Sequence, residues 1–407
     1  MKNFFISLLI IALIQCSSYA QSGWFPLQCG VNSDFYSLYF TSASTGYVVG
    51  NYYIIKTTNS GLNWFTQVYD LSMRLRSVVF INSNTGIVVG RDGLILKTTN
   101  GGSNWIPKNS GNVNDLTELF MYDNNHGFIS GGFETFLRTT DCGESWSGYS
   151  LGEQYHLYSV NVPTSSLGWC VGDGGRIFKT TNLGLNWNIQ LPPINVDFRE
   201  VYFLNQNTGW IVGKVGTILY TTNGGMNWMI QISGSYQVLH HITFVSGSKG
   251  WIVGEFGTIL QTVDGGYTWN FQQGDTGKIY VQSFFTSDTV GYIAGFAGTI
   301  LKTTTGGNLI GIKPISNQVP SDYYLLQNYP NPFNPTTSIE FDLPKSSLTK
   351  LIVYDVIGKE KAVLVNEELK AGVYKVDFDG SNYSSGVYFY RLVSEDFTGT
   401  KKMILVK

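Results

Sequence analysis

TGWIVGKVGTILYTTNGGMNW, residues 208–228, joins two short apolar runs through glycine turns and ends on a tryptophan. The same pattern recurs as TGYVVGNYYIIKTTNSGLNW (45–64), TGIVVGRDGLILKTTNGGSNW (85–105), HGFISGGFETFLRTTDCGESW (126–146) and LGWCVGDGGRIFKTTNLGLNW (167–187). It returns as KGWIVGEFGTILQTVDGGYTW (249–269) and VGYIAGFAGTILKTTTGGNLI (290–310). The first glycine of each copy falls at 46, 86, 127, 168, 209, 250 and 291, one step of 40 and five of 41. A period near 40, built of short strands between glycine turns, is one four-stranded propeller blade per repeat. The expected fold is therefore all-β, a seven-bladed β-propeller.

Each unit divides into strands a to d. Strand a is a stretch such as 75–80 or 198–203, nearest the axis. Gly-Trp-Ile-Val-Gly is strand b, Thr-Ile-Leu-x-Thr-Thr is strand c, and strand d begins at the tryptophan. The tryptophans at 64, 105, 146, 187, 228 and 269 are 41 apart, but position 310 is Ile. Forty residues before Trp64 stands Trp24. The N-terminal segment therefore reads as an orphan strand d. Trp24 is expected to complete the seventh blade, closing the ring and removing an exposed edge.

The connection from c to d carries Thr-x-Asn/Asp-x-Gly-x-x-Trp. Asn or Asp folds its side chain onto the backbone, and Gly accepts the left-handed conformation. The motif places Asn59 with Trp64, Asn100 with Trp105, Asp141 with Trp146, Asn182 with Trp187, Asn223 with Trp228 and Asp264 with Trp269. This turn resembles the Asp-box, or BNR, repeat of sialidase-type propellers. A feature present in six of seven units serves the blade rather than a site. The whole repeat resembles the photosystem II assembly and stability factor propellers, which implies a seven-bladed ring and admits an assembly role.

Composition bounds the rest. Charged residues are 13% and the net charge is −2, which argues against nucleic-acid partners. Lys2 followed by the apolar run 4–14 and Ser18-Tyr19-Ala20 reads as a cleavable signal peptide over residues 1–20. No later stretch holds eighteen uninterrupted apolar residues, so no transmembrane segment is expected in the mature chain. Cys29, Cys142 and Cys170 match no metal or disulfide pattern. No metal site or cofactor is read.

The expected domains are a ring over 21–311, a linker over 312–322 and a tail over 323–407. The tail opens on QNYPNPFNPTTSIEFDLP, whose prolines exclude a helix. Alternating segments at 338–343, 350–355, 372–378, 386–393 and 401–406 then read as a small Ig-like sandwich. With VYDVIGKE, SSGVYFYRL and KKMILVK, the tail closely resembles the type A C-terminal sorting domain of type IX secretion. That resemblance implies type IX machinery as a partner and a secreted or outer-surface location. It also implies a host from the Bacteroidetes–Ignavibacteria neighbourhood and removal of the tail after export.

No catalytic set emerges. The sialidase Arg-Ile-Pro start is missing, the single ring offers no second propeller to form a cleft, and no Ser-His-Asp or phosphate-loop spacing occurs. A variable ring remains where strand a begins. Nine residues before each anchor glycine stand Ser37, Ser77, Glu118, Ser159, Glu200, His241 and Gln282. The residues before them are Tyr36, Arg76, Thr117, Tyr158, Arg199, His240 and Val281. The b–c loops add Arg91, Arg176 and Lys214, among others. Candidate ligand residues at the channel mouth are therefore Tyr36, Arg76, Arg91, Glu118, Tyr158, Arg176, Arg199, Glu200, Lys214, His240 and His241. They suit recognition of a protein or polysaccharide. The competing reading is a polar channel that holds water. The expected function is non-catalytic binding. A carbohydrate-active hydrolase would instead need convergent carboxylates in a pocket on this face, and an assembly factor an arginine stripe across several blades.

Overall fold

The computed structural model describes residues 23–150, 153–272, 274–307, 313–316, 319–380, 383–395 and 397–407. The signal segment 1–20 lies outside them. The chain divides into two compact units, one spanning the repeats and one the C-terminal region.

In the repeat unit, five sheets have four strands each, and a sixth sheet has six strands and holds the first two blades. Those two are continuous because Gly46–Thr57 carries both b and c, and Phe65–Phe80 runs from d of the first blade into a of the second. The described residues form seven blades. Each strand a packs against strand a of the next blade, and Tyr280–Phe285 of the last packs against Phe35–Phe40 of the first.

The repeated residues explain the packing. The last residue of strand a is often Phe, and it lies on the anchor glycine of strand b. A Cβ at Gly46 would approach the Phe40 ring to 2.6 Å. The same Phe stacks on the strand-b aromatic of the preceding blade. The pairs are Tyr47 with Phe80 (4.0 Å), Trp169 with Phe203 (3.6 Å) and Trp251 with Phe285 (3.7 Å). Tyr292 with Phe40 (4.0 Å) continues the series across the ring closure. Strand d begins one residue after the tryptophan, at Phe65, Ile106, Ser147, Asn188, Met229 and Asn270.

The c–d turn works as the Asp-box logic requires. Thr57 Oγ1 accepts the Gly61 amide at 2.9 Å, and Asn59 Oδ1 accepts the Asn63 amide at 2.9 Å. Thr98 and Asn100, Thr139 and Asp141, Thr180 and Asn182, Thr221 and Asn223, and Thr262 and Asp264 repeat this arrangement. The turn also ties blade to blade. The strand-c lysines Lys56, Lys97, Lys179 and Lys302 donate to the carbonyls of Gly101, Cys142, Gly224 and Ser60 in the following blade's turn.

At the ring closure, Phe25–Pro26 pairs antiparallel with Ile300–Thr303, setting Phe25 opposite Lys302. Leu27 donates its amide to the Ile300 carbonyl at 2.8 Å. Trp24 is buried, and its Nε1 donates to Gln272 Oε1 at 2.9 Å. Trp269 makes the corresponding bond to Gln231 one blade earlier, at 3.3 Å.

The C-terminal unit is a sandwich of two four-stranded antiparallel sheets sharing one apolar core, which includes Phe341, Val353, Val376, Tyr390 and Met403. Two sequence expectations differ here. Lys313–Ser316, assigned to the linker, forms a strand paired with Gly372–Asp379. Glu360–Leu369, unassigned, forms an edge strand on Ser347–Tyr354. Its charged ends mask the alternation that marks the other strands.

Candidate functional site at the channel mouth

Every strand a has a register shift where it begins: between Phe35 and Ser37, Leu75 and Ser77, Leu116 and Glu118, and Leu157 and Ser159. The same shift lies between Phe198 and Glu200, Leu239 and His241, and Tyr280 and Gln282. Such a bulge re-aims the extra residue. Those residues are Tyr36, Arg76, Thr117, Tyr158, Arg199, His240 and Val281, and all seven line one cavity of about 460 Å³ at the channel mouth.

Of the eleven candidate residues, the cavity gathers Tyr36, Arg76, Arg91, Glu118, Tyr158, Arg199, Glu200, His240 and His241. It does not include Arg176 and Lys214. Arg176 donates from Nε to Glu134 Oε1 at 2.9 Å and lies over the Tyr155 ring, while Lys214 Nζ sits 2.5 Å from Asp197 Oδ2. Both charges are neutralised within the loops. Asp115, His156 and Phe296 also line the cavity and were not on the candidate set. Asp115 and His156 hold equivalent positions, twelve residues before their anchor glycines, so the repeat offset could have found them.

The polar ring one residue further on has a third role, neither ligand contact nor water-holding alone. Ser37 Oγ accepts the Val78 amide at 3.1 Å, Ser77 Oγ the Leu119 amide at 3.2 Å and Glu118 Oε2 the Val160 amide at 2.8 Å. Ser159 Oγ accepts the Val201 amide at 3.1 Å, and Gln282 Oε1 accepts the Leu38 amide at 2.6 Å across the closure. These bonds satisfy strand-a amides that face the channel and would otherwise lack partners.

The mouth carries two matching cation–aromatic pairs. The Arg76 guanidinium lies 3.8 Å over the Tyr36 ring, and that of Arg199 lies 4.1 Å over Tyr158. The two arginines are three blades apart in a ring of seven and so face one another across the opening. Arg76 Nη1 and Arg199 Nε are buried and have no hydrogen-bond partner among the described residues. Arg91 is instead held by Asp115 at 3.5 Å.

Burial sets the protonation of the floor. It pushes the Glu118 carboxyl up to about 7, against the bonds from Ser159 and the Val160 amide. Burial also raises Glu200 well above the usual range, and the neighbouring Glu118 adds to the rise. His240 is lowered to about 4 by burial and by Arg199, and His241 to about 3 by burial. Near neutral pH Glu200 and both imidazoles are neutral, which leaves the arginines to dominate the field at the mouth.

Two opposed pH effects on stability result. The raised carboxylates contribute stability that is full below about pH 4.3 and lost as pH rises through their folded values. The depressed histidines contribute stability that is full above about pH 6.5 and lost as pH falls through 4 and 3. Above about pH 6.5 only the carboxylate slope remains. The Tm of the full chain is expected to fall as pH rises from about 6.5 through about 7, the folded value of Glu118, and beyond it as Glu200 titrates, and a Glu118→Gln, Glu200→Gln variant should remove most of that fall. Thermal melts across this range check it; an equal fall in the variant would assign the slope elsewhere.

Together these features define a class, a closed single-ring β-propeller with an arginine-lined mouth, joined to a β-sandwich tail. The chain belongs to the family described as photosynthesis system II assembly factor YCF48, which matches residues 16–110, 150–237 and 229–334. A second family, the secretion system C-terminal sorting domain, matches residues 327–407, which marks the chain for type IX export to the cell surface or beyond. Among solved structures, YCF48 from Cyanidioschyzon merolae is 16% identical with a TM-score of 0.60, over 69% of this chain and 98% of its own. A structure of YCF48 bound to D1 peptide is 22% identical with a TM-score of 0.60, over 70% of this chain and 97% of its own. The WD40 propeller domain of Doa1 is 12% identical with a TM-score of 0.59, over 69% of this chain and 95% of its own. At these identities the likenesses show the fold. No curated protein matches the chain.

Proposed function

We propose that this chain is a non-catalytic binding propeller whose channel mouth takes an anionic group of a protein or polysaccharide ligand. It acts outside the cell, after loss of the signal segment and handling of the tail by the type IX apparatus. The observation that carries the reading is the pair Arg76 and Arg199, each lying on a tyrosine and each with a buried, unused N–H. A carboxylate supplies the acceptors that such donors lack. The peptide bound to the YCF48 relative supports a macromolecular ligand.

A hydrolase has less support, although two buried carboxylates do converge near the cavity. Glycoside hydrolysis needs one ionised and one protonated carboxyl, or an activated tyrosine. Burial raises both carboxyls, so neither is a firmly ionised base or nucleophile near neutral pH; Glu118 Oε2 already accepts the Val160 amide, and burial raises the Tyr158 phenol away from activation.

The test is the full chain on arrays of acidic and neutral peptides and of uronate-containing and neutral glycans. Binding is expected to anionic probes and to weaken as salt rises from about 0.05 to 0.5 M. Retention of neutral probes alone, or turnover of chromogenic glycosides including a sialoside, would reject the reading.

A further inference from the structure

The turns between strands b and c form a second ring around the mouth. In six blades the two central residues of this turn both have positive φ. The first of them is Asp92 (58°), Phe133 (56°), Gly174 (62°), Val215 (57°), Phe256 (50°) or Ala297 (53°). The turn closes with bonds such as the Thr217 amide to the Lys214 carbonyl at 3.1 Å and the Thr258 amide to the Glu255 carbonyl at 3.1 Å. This is a type I′ hairpin, whose preferred pair is Asn-Gly. Phe is poorly suited to the left-handed region, and a β-branched Val is a clear outlier there.

The strain brings no packing in return. Phe133 is 46% exposed, Val215 61% and Phe256 59%. In three other blades the turn is clamped by an aspartate of the next blade. Asp115, Asp197 and Asp34 accept the amides of Asp92, Gly174 and Ala297 at 3.2, 2.9 and 3.1 Å. At the corresponding place facing the turns of Phe133, Val215 and Phe256 the chain carries His156, Val238 and Ile279. The bulky apolar residues therefore stand on the turns without an aspartate clamp. Backbone strain kept without gain in packing points to use in contact.

We infer that Phe133, Val215 and Phe256 form an apolar crown that docks an extended peptide, whose acidic side chain or terminus enters the arginine-lined mouth. The inference rests on the proposed binding role of that mouth and names its ligand class. Charge complementarity gives the acidic group. The crown gives the apolar side chains on either side of it. A peptide fits better than a polysaccharide because the crown mixes the aliphatic Val215 with its two phenyl rings, and within the mouth the Tyr36 and Tyr158 faces on which a sugar ring would stack are covered by guanidinium groups.

The test is a selection of full-length protein against a phage-displayed random dodecapeptide library, repeated with a Phe133→Asn, Val215→Asn, Phe256→Asn triple variant. Asn tolerates the left-handed region, and at Val215 and Phe256 it precedes a glycine, which restores the preferred hairpin pair. The variant is therefore expected to melt at the parent's Tm or a few degrees above it. Peptides selected by the parent should combine an acidic residue with flanking apolar residues. They should bind the variant at least tenfold more weakly, while peptides selected on the variant keep the acidic residue and lose the apolar flanks. Equal affinity in parent and variant, a large drop in Tm or the absence of enriched peptides would overturn the inference. If oligogalacturonate binds the parent where peptides do not, the crown inference falls and the anionic mouth stands. If neither binds, the proposed function falls with it.

Discussion

Trp24→Ala is expected to lower the Tm of the propeller by roughly 10 °C, more than alanine at any of the equivalent c–d-turn tryptophans, Trp64, Trp105, Trp146, Trp187, Trp228 and Trp269. Replacing a buried tryptophan costs about 3–5 kcal/mol, and each kcal/mol is worth about 2 °C in a unit somewhat larger than 250 residues. Trp24 is 1% exposed, while the most buried of the equivalent c–d-turn tryptophans, Trp146, Trp228 and Trp269, are each 8% exposed. It meets the edge of Phe285 at 5.8 Å between ring centres, and a Cβ on Gly307 would lie 2.1 Å from its Nε1. The indole also supports a relay, since Gln272 accepts from Trp24 at 2.9 Å and donates to the Gly306 carbonyl at 2.9 Å. Losing it frees the segment that pairs with Ile300–Thr303. An unpaired strand edge is a template for another chain, so deletion of residues 22–28 should also produce oligomers. Differential scanning calorimetry with light scattering reads both effects. A truncated protein that melts as a monomer at the parent's Tm would show that the closure contributes nothing.

The propeller was legible because the repeat states the same physical problem seven times. Each copy must place a strand-b residue against the next blade's Phe and turn tightly through Thr, Asn or Asp, and Gly. The polar ring was visible as a column of variable residues, but its use was not. Ser37, Ser77 and Ser159 read as channel lining, whereas they accept amides from the neighbouring blade. The bulge at the start of strand a had no letter of its own. Bulged positions hold Tyr, Arg, Thr, His and Val alike, since the extra residue is specified by the length of the strand rather than by its chemistry. That Arg176 and Lys214 stand outside the cavity was not legible, because their ion-pair partners, Glu134 and Asp197, lie in other segments of the chain. In the tail, the strand at 360–369 escaped because its lysine and glutamates interrupt the period of two.

Arg76→Gln with Arg199→Gln should abolish binding of the tightest anionic probe, by a factor of roughly 100 to 10,000. A hydrogen bond to a charged group contributes about 1.5–3 kcal/mol, and two such groups are removed. The fold should tolerate the change. Arg76 Nη1 and Arg199 Nε have no protein acceptor among the described residues, and the nearest carboxylate to Arg199, Asp173, is 3.9 Å away. The Tm is therefore expected to stay within about 2 °C of the parent, which separates lost binding from lost structure. Arg199→Lys sharpens the test. It keeps the charge but gives up the planar stack on Tyr158 and the fixed fork of donors, so an intermediate loss near tenfold is expected. If lysine restored full affinity, the mouth would be acting as a diffuse positive field. If the double glutamine variant bound as well as the parent, the ligand would sit elsewhere on the ring. A loss in steps, with lysine between arginine and glutamine, is what two opposed guanidinium groups predict when each holds part of one anionic ligand.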